Sequence, residues 1–126
     1  MTAEPERLFT REEANAELAD LQERLPRLRD ARRALIGASA RITDAVAADG
    51  GGVAGSDWFV AQQSLKEDLE NLARRGIILR DPERGLVDFP AEHEGRRVLL
   101  CWHLGEDEVA WFHDEHTGFS GRKPLS

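Results

Sequence analysis

Residues 85–119 read GLVDFPAEHEGRRVLLCWHLGEDEVAWFHDEHTGF, and this stretch decides the fold. It carries all four histidines, the only cysteine and two of the three tryptophans. Within it, RVLLCWH (97–103) and VAWFH (109–113) are apolar runs of strand length. The polar Leu104-Gly105-Glu106-Asp107-Glu108 between them has the composition of a hairpin loop. Strand alternation sends Val98, Leu100 and Trp102 to one face and Leu99, Cys101 and His103 to the other. Pairing across that loop is expected to place Val109, Trp111 and His113 with Trp102, and Glu108, Ala110 and Phe112 with Cys101. Both faces are then apolar, whereas a sheet with one wet face alternates. Each face needs a cover. Helices of the same chain supply one, and a second copy of the chain is expected to supply the other.

Moving outward, GLVDF (85–89) reads as a further strand closed by Pro90, and Ile77-Ile78-Leu79 as a short apolar run. Asp81-Pro82-Glu83-Arg84-Gly85 between them has Pro and Gly at turn positions. The expectation is an antiparallel meander of three to four strands over residues 77–118, followed by a docking tail over 119–126.

Upstream the period changes. Thr10 and Glu13 are spaced for a capping box, with Phe9 just outside it. Ala14, Leu18, Leu21, Leu25, Leu28, Leu35, Ile42 and Val46 follow at heptad spacing, with Arg32 and Ser39 in two of the slots. Pro26 is expected to kink or break this helix near Leu25. A Gly-rich turn over 49–55 leads to a second helix with a seam of Trp58, Leu65, Leu69 and Leu72, ended by Gly76. At ~1.5 Å per residue, 26–48 spans about 33 Å and 57–75 about 28 Å. The matching lengths predict an antiparallel, coiled-coil-like helical hairpin over 8–76. The segment before Pro26 then projects past the hairpin or folds back onto the sheet. The fold class is α+β, in a single domain over 1–126.

Composition narrows the function classes. The 126 residues carry a formal net charge of −7, which disfavours a general binder of nucleic acid or anionic membranes. No apolar run approaches the ~20 residues of a bilayer span, and residues 1–7 lack the apolar segment of a signal peptide. One cysteine in an apolar strand fits a reducing cytoplasm. The Gly-rich turn has no P-loop lysine and follows a helix, so it reads as a connection rather than a phosphate cradle. Arg24, Arg27, Arg29, Arg32, Arg33 and Arg41 form a basic stripe without interleaved aromatics, and Glu67, Asp68 and Glu70 are expected to face Arg32 and Arg33. Cys101 as a nucleophile needs a base, and His103 lies two strand positions away, roughly 7 Å. A buried, inert thiol is the expectation.

The candidate site is a metal site. His113 and His116 leave the last strand three residues apart, and imidazole with carboxylate suits Zn, Fe or Mn. Asp88 joins them in one of two registers of its hairpin, on the His113 face, flanking Val98, with backbones about 10 Å apart at ~4.8 Å per strand. His103 is expected on the opposite face. The alternative is polar strand ends, with Asp88 paired to Arg96 or Arg97. His93 reads as a solvated residue in a loop over 91–95.

The pieces FTREEAN, Leu25-Pro26, GLVDFP, CW-x-LGE, a His after the last aromatic pair and GF-x-GR-x-P together resemble an uncharacterised family of small bacterial proteins, a domain of unknown function. The resemblance covers nearly the whole chain and implies its boundaries, a defined docking of the tail, and no activity. Where that family pattern has Asp, this chain has His116. The sequence names no reaction and no enzyme. Its leading reading is a small cytoplasmic protein-interaction or scaffold module acting as a homo-oligomer, a dimer. The alternative is a metal-binding protein using His113, His116 and Asp88 for one divalent ion.

Overall fold

The computed structural model describes residues 6–49 and 55–125, and the side chains of these apart from 38–49 and 55–57. Helices come first and a sheet follows, so the architecture is α+β. α1 (Arg11–Ala16), α2 (Leu18–Asp49) and α3 (Gly55–Arg74) precede β1 (Ile78–Asp81), β2 (Leu86–His93), β3 (Arg96–His103), β4 (Trp111–His113) and β5 (Lys123–Pro124). The five strands form one antiparallel sheet in sequence order. The tail supplies the fifth strand, beside β4. The Gly-rich turn at 50–54 and the seam side chains Ser39, Ile42 and Val46 lie outside the described residues. Among the described residues no helix is long and apolar enough to cross a membrane.

The capping box forms: Thr10 Oγ1 accepts from the Glu13 N–H at 3.0 Å, and Glu13 accepts from the Thr10 N–H at 2.9 Å. The helix then breaks at Glu17, not at Pro26. α2 continues through Pro26. An interior proline costs about 3 kcal/mol, but Leu21, Leu25 and Leu28 flank it and are almost fully buried. At about 1.5–3 kcal/mol for each buried leucine, the packing on both sides outweighs the proline. The segment before Pro26 folds onto the sheet: Leu18, Leu21 and Leu25 share one core with Val87, Phe89, Leu100 and Trp102.

α2 and α3 pack antiparallel, with Glu17 and Asp20 against Arg75 and Arg24 and Arg27 against Asp68. The α3 seam differs from expectation at one position. Leu69 is 41% exposed, and Asp68 takes the inner place at 2%. Burying a carboxylate is costly unless it is paired and hydrogen-bonded. Here Arg24 Nη1 donates to it at 2.7 Å and Arg27 donates through Nε and Nη2 at 3.0 and 2.6 Å. Arg32 and Arg33 reach instead to Glu83 in the β1–β2 turn. Asp20, held by Arg24 and then Arg75, has its carboxyl drawn down from 3.8 to about 2.

In the sheet, β2 does not stop at Pro90 but runs on to His93. Beyond Asp88 it has no β1 partner, and the Pro90 carbonyl accepts from the Phe9 N–H at 2.7 Å. The missing proline N–H therefore falls on the side that β1 has vacated. The β2–β3 connection shrinks to Glu94 and Gly95, both with positive φ (52° and 77°), the signature of a type I′ hairpin. His93 is consequently a strand-end residue packed on Phe112, ring centroids 4.6 Å apart, rather than a loop residue.

The β3–β4 register corrects the expected faces. Leu99 pairs with His113, Leu100 with Phe112 and Cys101 with Trp111. Trp111 and His113 thus share the Cys101 face, and Phe112 joins Trp102. Val109 is not in the strand. Its N–H donates to Asn15 Oδ1 and its carbonyl accepts from Arg11 Nε, which turns it into the core beside α1. A strand shifted by one residue exchanges every side chain between faces. His103 and His113 therefore lie on the same face, not on opposite ones.

One face, with Val87, Phe89, Val98, Leu100 and Trp102, is covered by the helices. The other carries Asp88, Leu99, Cys101 and His113, all buried within this one chain. The segment after β4 folds back over part of it, with Phe119 against His103 and the Arg122 guanidinium over Trp111.

Candidate metal centre

The β2–β3 register sets Asp88 directly opposite Cys101, and the β3–β4 register brings His113 into the adjoining row of the same face. The neighbour between Asp88 and His113 is therefore Cys101, not Val98, which points into the helical core. Asp88, Cys101 and His113 are 1%, 1% and 4% exposed. A carboxylate oxygen, the thiol sulfur and an imidazole nitrogen all lie within 4.8 Å of one another.

Each group has a defined environment. Asp88 Oδ2 accepts from Arg80 Nε at 2.7 Å, and Oδ1 lies 3.0 Å from His113 Nε2. His113 Nδ1 lies 2.7 Å from the Asp114 carbonyl, which can only accept, so Nδ1 carries a proton. That contact fixes the ring and aims Nε2 at the cluster, the arrangement usual for ligating histidines. Burial, and then the Asp88 charge, push the Cys101 thiol up from 9.0 to about 11, against a smaller opposing effect of Arg122. Arg122 itself is held by Glu106 at 3.1 Å.

The trio is not a nucleophile with its base. Both His113 nitrogens are committed, one to Asp88 and one to Asp114, so neither serves the thiol. A buried thiol near 11 is also protonated at neutral pH. A cation taking the place of the Nε2–Oδ1 contact is the other arrangement this donor set allows. In a tetrahedral site with bonds of about 2.0–2.3 Å, donor atoms sit about 3.3–3.8 Å apart. Drawing the trio together takes side-chain movements of about 1 Å.

Of the residues singled out in the sequence, Asp88 and His113 are brought together. His116 is exposed on the turn after β4 and is not in the cluster. His103 shares the face but lies two positions from Cys101 along β3, with Nδ1 at 2.7 Å from the Leu104 carbonyl. Cys101 is the residue that sequence reasoning passed over. A 200 Å³ cavity reaches this centre, lined by Arg80, Leu86, Asp88, His113, Glu115, Gly118 and Phe119.

The four C-terminal motif pieces meet here. GLVDFP gives Asp88, the CW piece gives Cys101, the strand-end histidine is His113, and GF-x-GR-x-P gives Phe119 and Arg122. Residues 7–125 match the sequence model of the family described as "Uncharacterized conserved protein (DUF2203)". The chain belongs to that family. The DUF2203 match takes in both the helices and the sheet, and so every residue of the cluster. No curated protein and no solved structure matches the chain.

Proposed function

We propose that this chain is a small metal-binding protein that holds one divalent ion on Asp88, Cys101 and His113. The observation behind this reading is the convergence of three different donors on one buried face, with the imidazole pre-oriented by the Asp114 carbonyl. A thiolate in the set favours zinc or ferrous iron over manganese. Three protein donors would leave a fourth position, and the 200 Å³ cavity lined by Asp88 and His113 is the route by which an outside ligand would reach it. Open positions belong to catalytic rather than closed structural zinc sites. Arg80 holds the second oxygen of Asp88, as outer-shell partners of ligands do.

Elemental analysis of untagged protein, purified without chelator, tests it. Near-stoichiometric zinc or iron is expected, and Co²⁺ substitution should produce a thiolate-to-cobalt charge-transfer band. The thiol must lose its proton to bind, so metal affinity should rise by about tenfold per pH unit between pH 6 and 8. Metal-free protein that gives no cobalt–thiolate band overturns the reading.

A second reading, the self-associating interaction module of the cytoplasm, draws on the helices. Ile36 and Phe59 each lie nine residues beyond the Arg27–Asp68 pair along their helices, an equal rise of about 1.5 Å per residue in an antiparallel pair. Ile36, Phe59 and Val60 are 58%, 66% and 70% exposed. A coiled-coil-like hairpin with such an exposed apolar patch would bury it against a second hairpin. Sedimentation equilibrium should then give a dimer that Phe59→Glu reduces to a monomer. A monomer at every accessible concentration sinks this reading.

A further inference from the structure

A second cavity adjoins the first. It measures 390 Å³ and is lined by Arg84, Leu86, His103 and Phe119. Leu86 and Phe119 line both, so the two are parts of one cleft between the β1–β2 turn and the segment after β4. The volume falls within the ~300–1,000 Å³ of small-molecule sites, and its walls are largely apolar. The His103 and Phe119 rings meet edge to face, centroids 5.9 Å apart, and form an aromatic wall. The Arg122 guanidinium covers one face of the Phe119 ring at 4.3 Å and is not part of the cavity lining. The ring therefore offers the cleft a surface that guanidinium does not cover.

The charges at the cleft are unequal once their partners are counted. Both oxygens of Asp88 are taken, by Arg80 and His113. Glu115 is held by Arg97. Among the described residues Arg84 has only Asp81, at 3.8 Å, and its side chain is 71% exposed. Asp81 already accepts the backbone N–H groups of Glu83 and Arg84 through its other oxygen. The free charge at the mouth is thus a guanidinium above an aromatic floor. A flat ring bearing a carboxylate satisfies both, with the ring on Phe119 and Leu86 and the two carboxylate oxygens on the planar fork of Arg84.

We infer that this cleft binds small aromatic carboxylates, with Arg84 as the anion-recognising residue and Phe119 and Leu86 as the ring-binding walls. Recognition by these residues needs no ion, so it stands apart from the metal reading.

The test is a titration of ¹⁵N-labelled, chelator-treated full-length protein followed by ¹H–¹⁵N correlation spectra, with benzoate as the probe. Saturable shifts are expected at Leu86, His103 and Phe119. Acetate and benzyl alcohol, which lack the ring and the charge respectively, should each bind at least about tenfold more weakly. Arg84→Gln changes an exposed side chain. It should weaken benzoate by about tenfold or more, leave benzyl alcohol unchanged, and leave the rest of the spectrum in place. No saturable shift at these positions, or benzoate binding equal in Arg84→Gln, or acetate equal to benzoate, overturns the inference. Because the protein is metal-free throughout, none of these outcomes bears on whether Asp88, Cys101 and His113 hold an ion.

Discussion

Cys101→Ala and His113→Ala should each lower metal affinity by more than about 100-fold, because even outer-shell partners of ligands are worth about 10–100-fold. Arg80→Gln should fall within that smaller range, since it touches only the second oxygen of Asp88. His116→Ala, on the exposed turn, should change nothing. Competition with a chromogenic chelator at fixed pH measures all four. Cys101→Ala separates metal binding from folding most clearly. It removes one sulfur from a strand whose flanking Leu100 and Trp102 stay buried in the helical core, so the apo protein should lose little stability. His113→Ala also leaves Asp88 buried with Arg80 alone, and its apo stability should fall. Equal affinity in wild type and Cys101→Ala would end the case for a thiolate ligand.

Trp102→Ala should have the largest effect on stability, about 3–5 kcal/mol, the range for emptying a large aromatic from a core. Trp102 is 0% exposed, sits among the residues packed under the helices, and donates its indole N–H to the Glu106 carbonyl at 2.9 Å. Trp102→Phe keeps most of the ring but leaves that carbonyl without its donor, so it should cost less, about 1–3 kcal/mol. Urea unfolding with an unchanged m-value checks both. A loss below about 1 kcal/mol for Trp102→Ala would show that the helices do not depend on this face of the sheet.

Local features were legible in the sequence and long-range alignments were not. Thr10 and Glu13 interact across three residues, so their spacing contained the cap. The runs around Leu99 and Phe89 gave strands because β-branched and aromatic residues favour them whatever their partners. Register was harder. Glu94-Gly95 is not one of the Asn-Gly or Asp-Gly pairs that announce a two-residue turn. Read as one, it pairs His93 with Arg96 and, five steps on, Asp88 with Cys101. That reading would have placed the thiol in the candidate site. At the next hairpin Val109 looked like strand because it is apolar, yet its polar backbone partners are Asn15 and Arg11, more than 90 positions earlier. Hydrophobicity alone gives Leu69 the seam, and the charge pattern sets Asp68 against Arg32 and Arg33, about one to two turns from its actual partners Arg24 and Arg27. Paired by both arginines, Asp68 takes the inner place and Leu69 the outer one, and helical period by itself does not fix that alignment of the two helices. Pro26 is the same lesson in the other direction: a local rule yields when tertiary burial on both sides exceeds its cost.

The placement of Pro90 bears on how copies of this chain could meet. A sheet edge with free N–H and C=O groups is a template for strand addition, by a neighbour or by a growing fibre. β2 leaves such an edge beyond Asp88, yet there the proline has no hydrogen to offer and its carbonyl is already taken by Phe9. The opposite margin of the sheet is β5, two residues long. β5 therefore gives an incoming strand little ladder, and on the other side the Pro90 block beyond Asp88 confines strand addition to the four residues of β1.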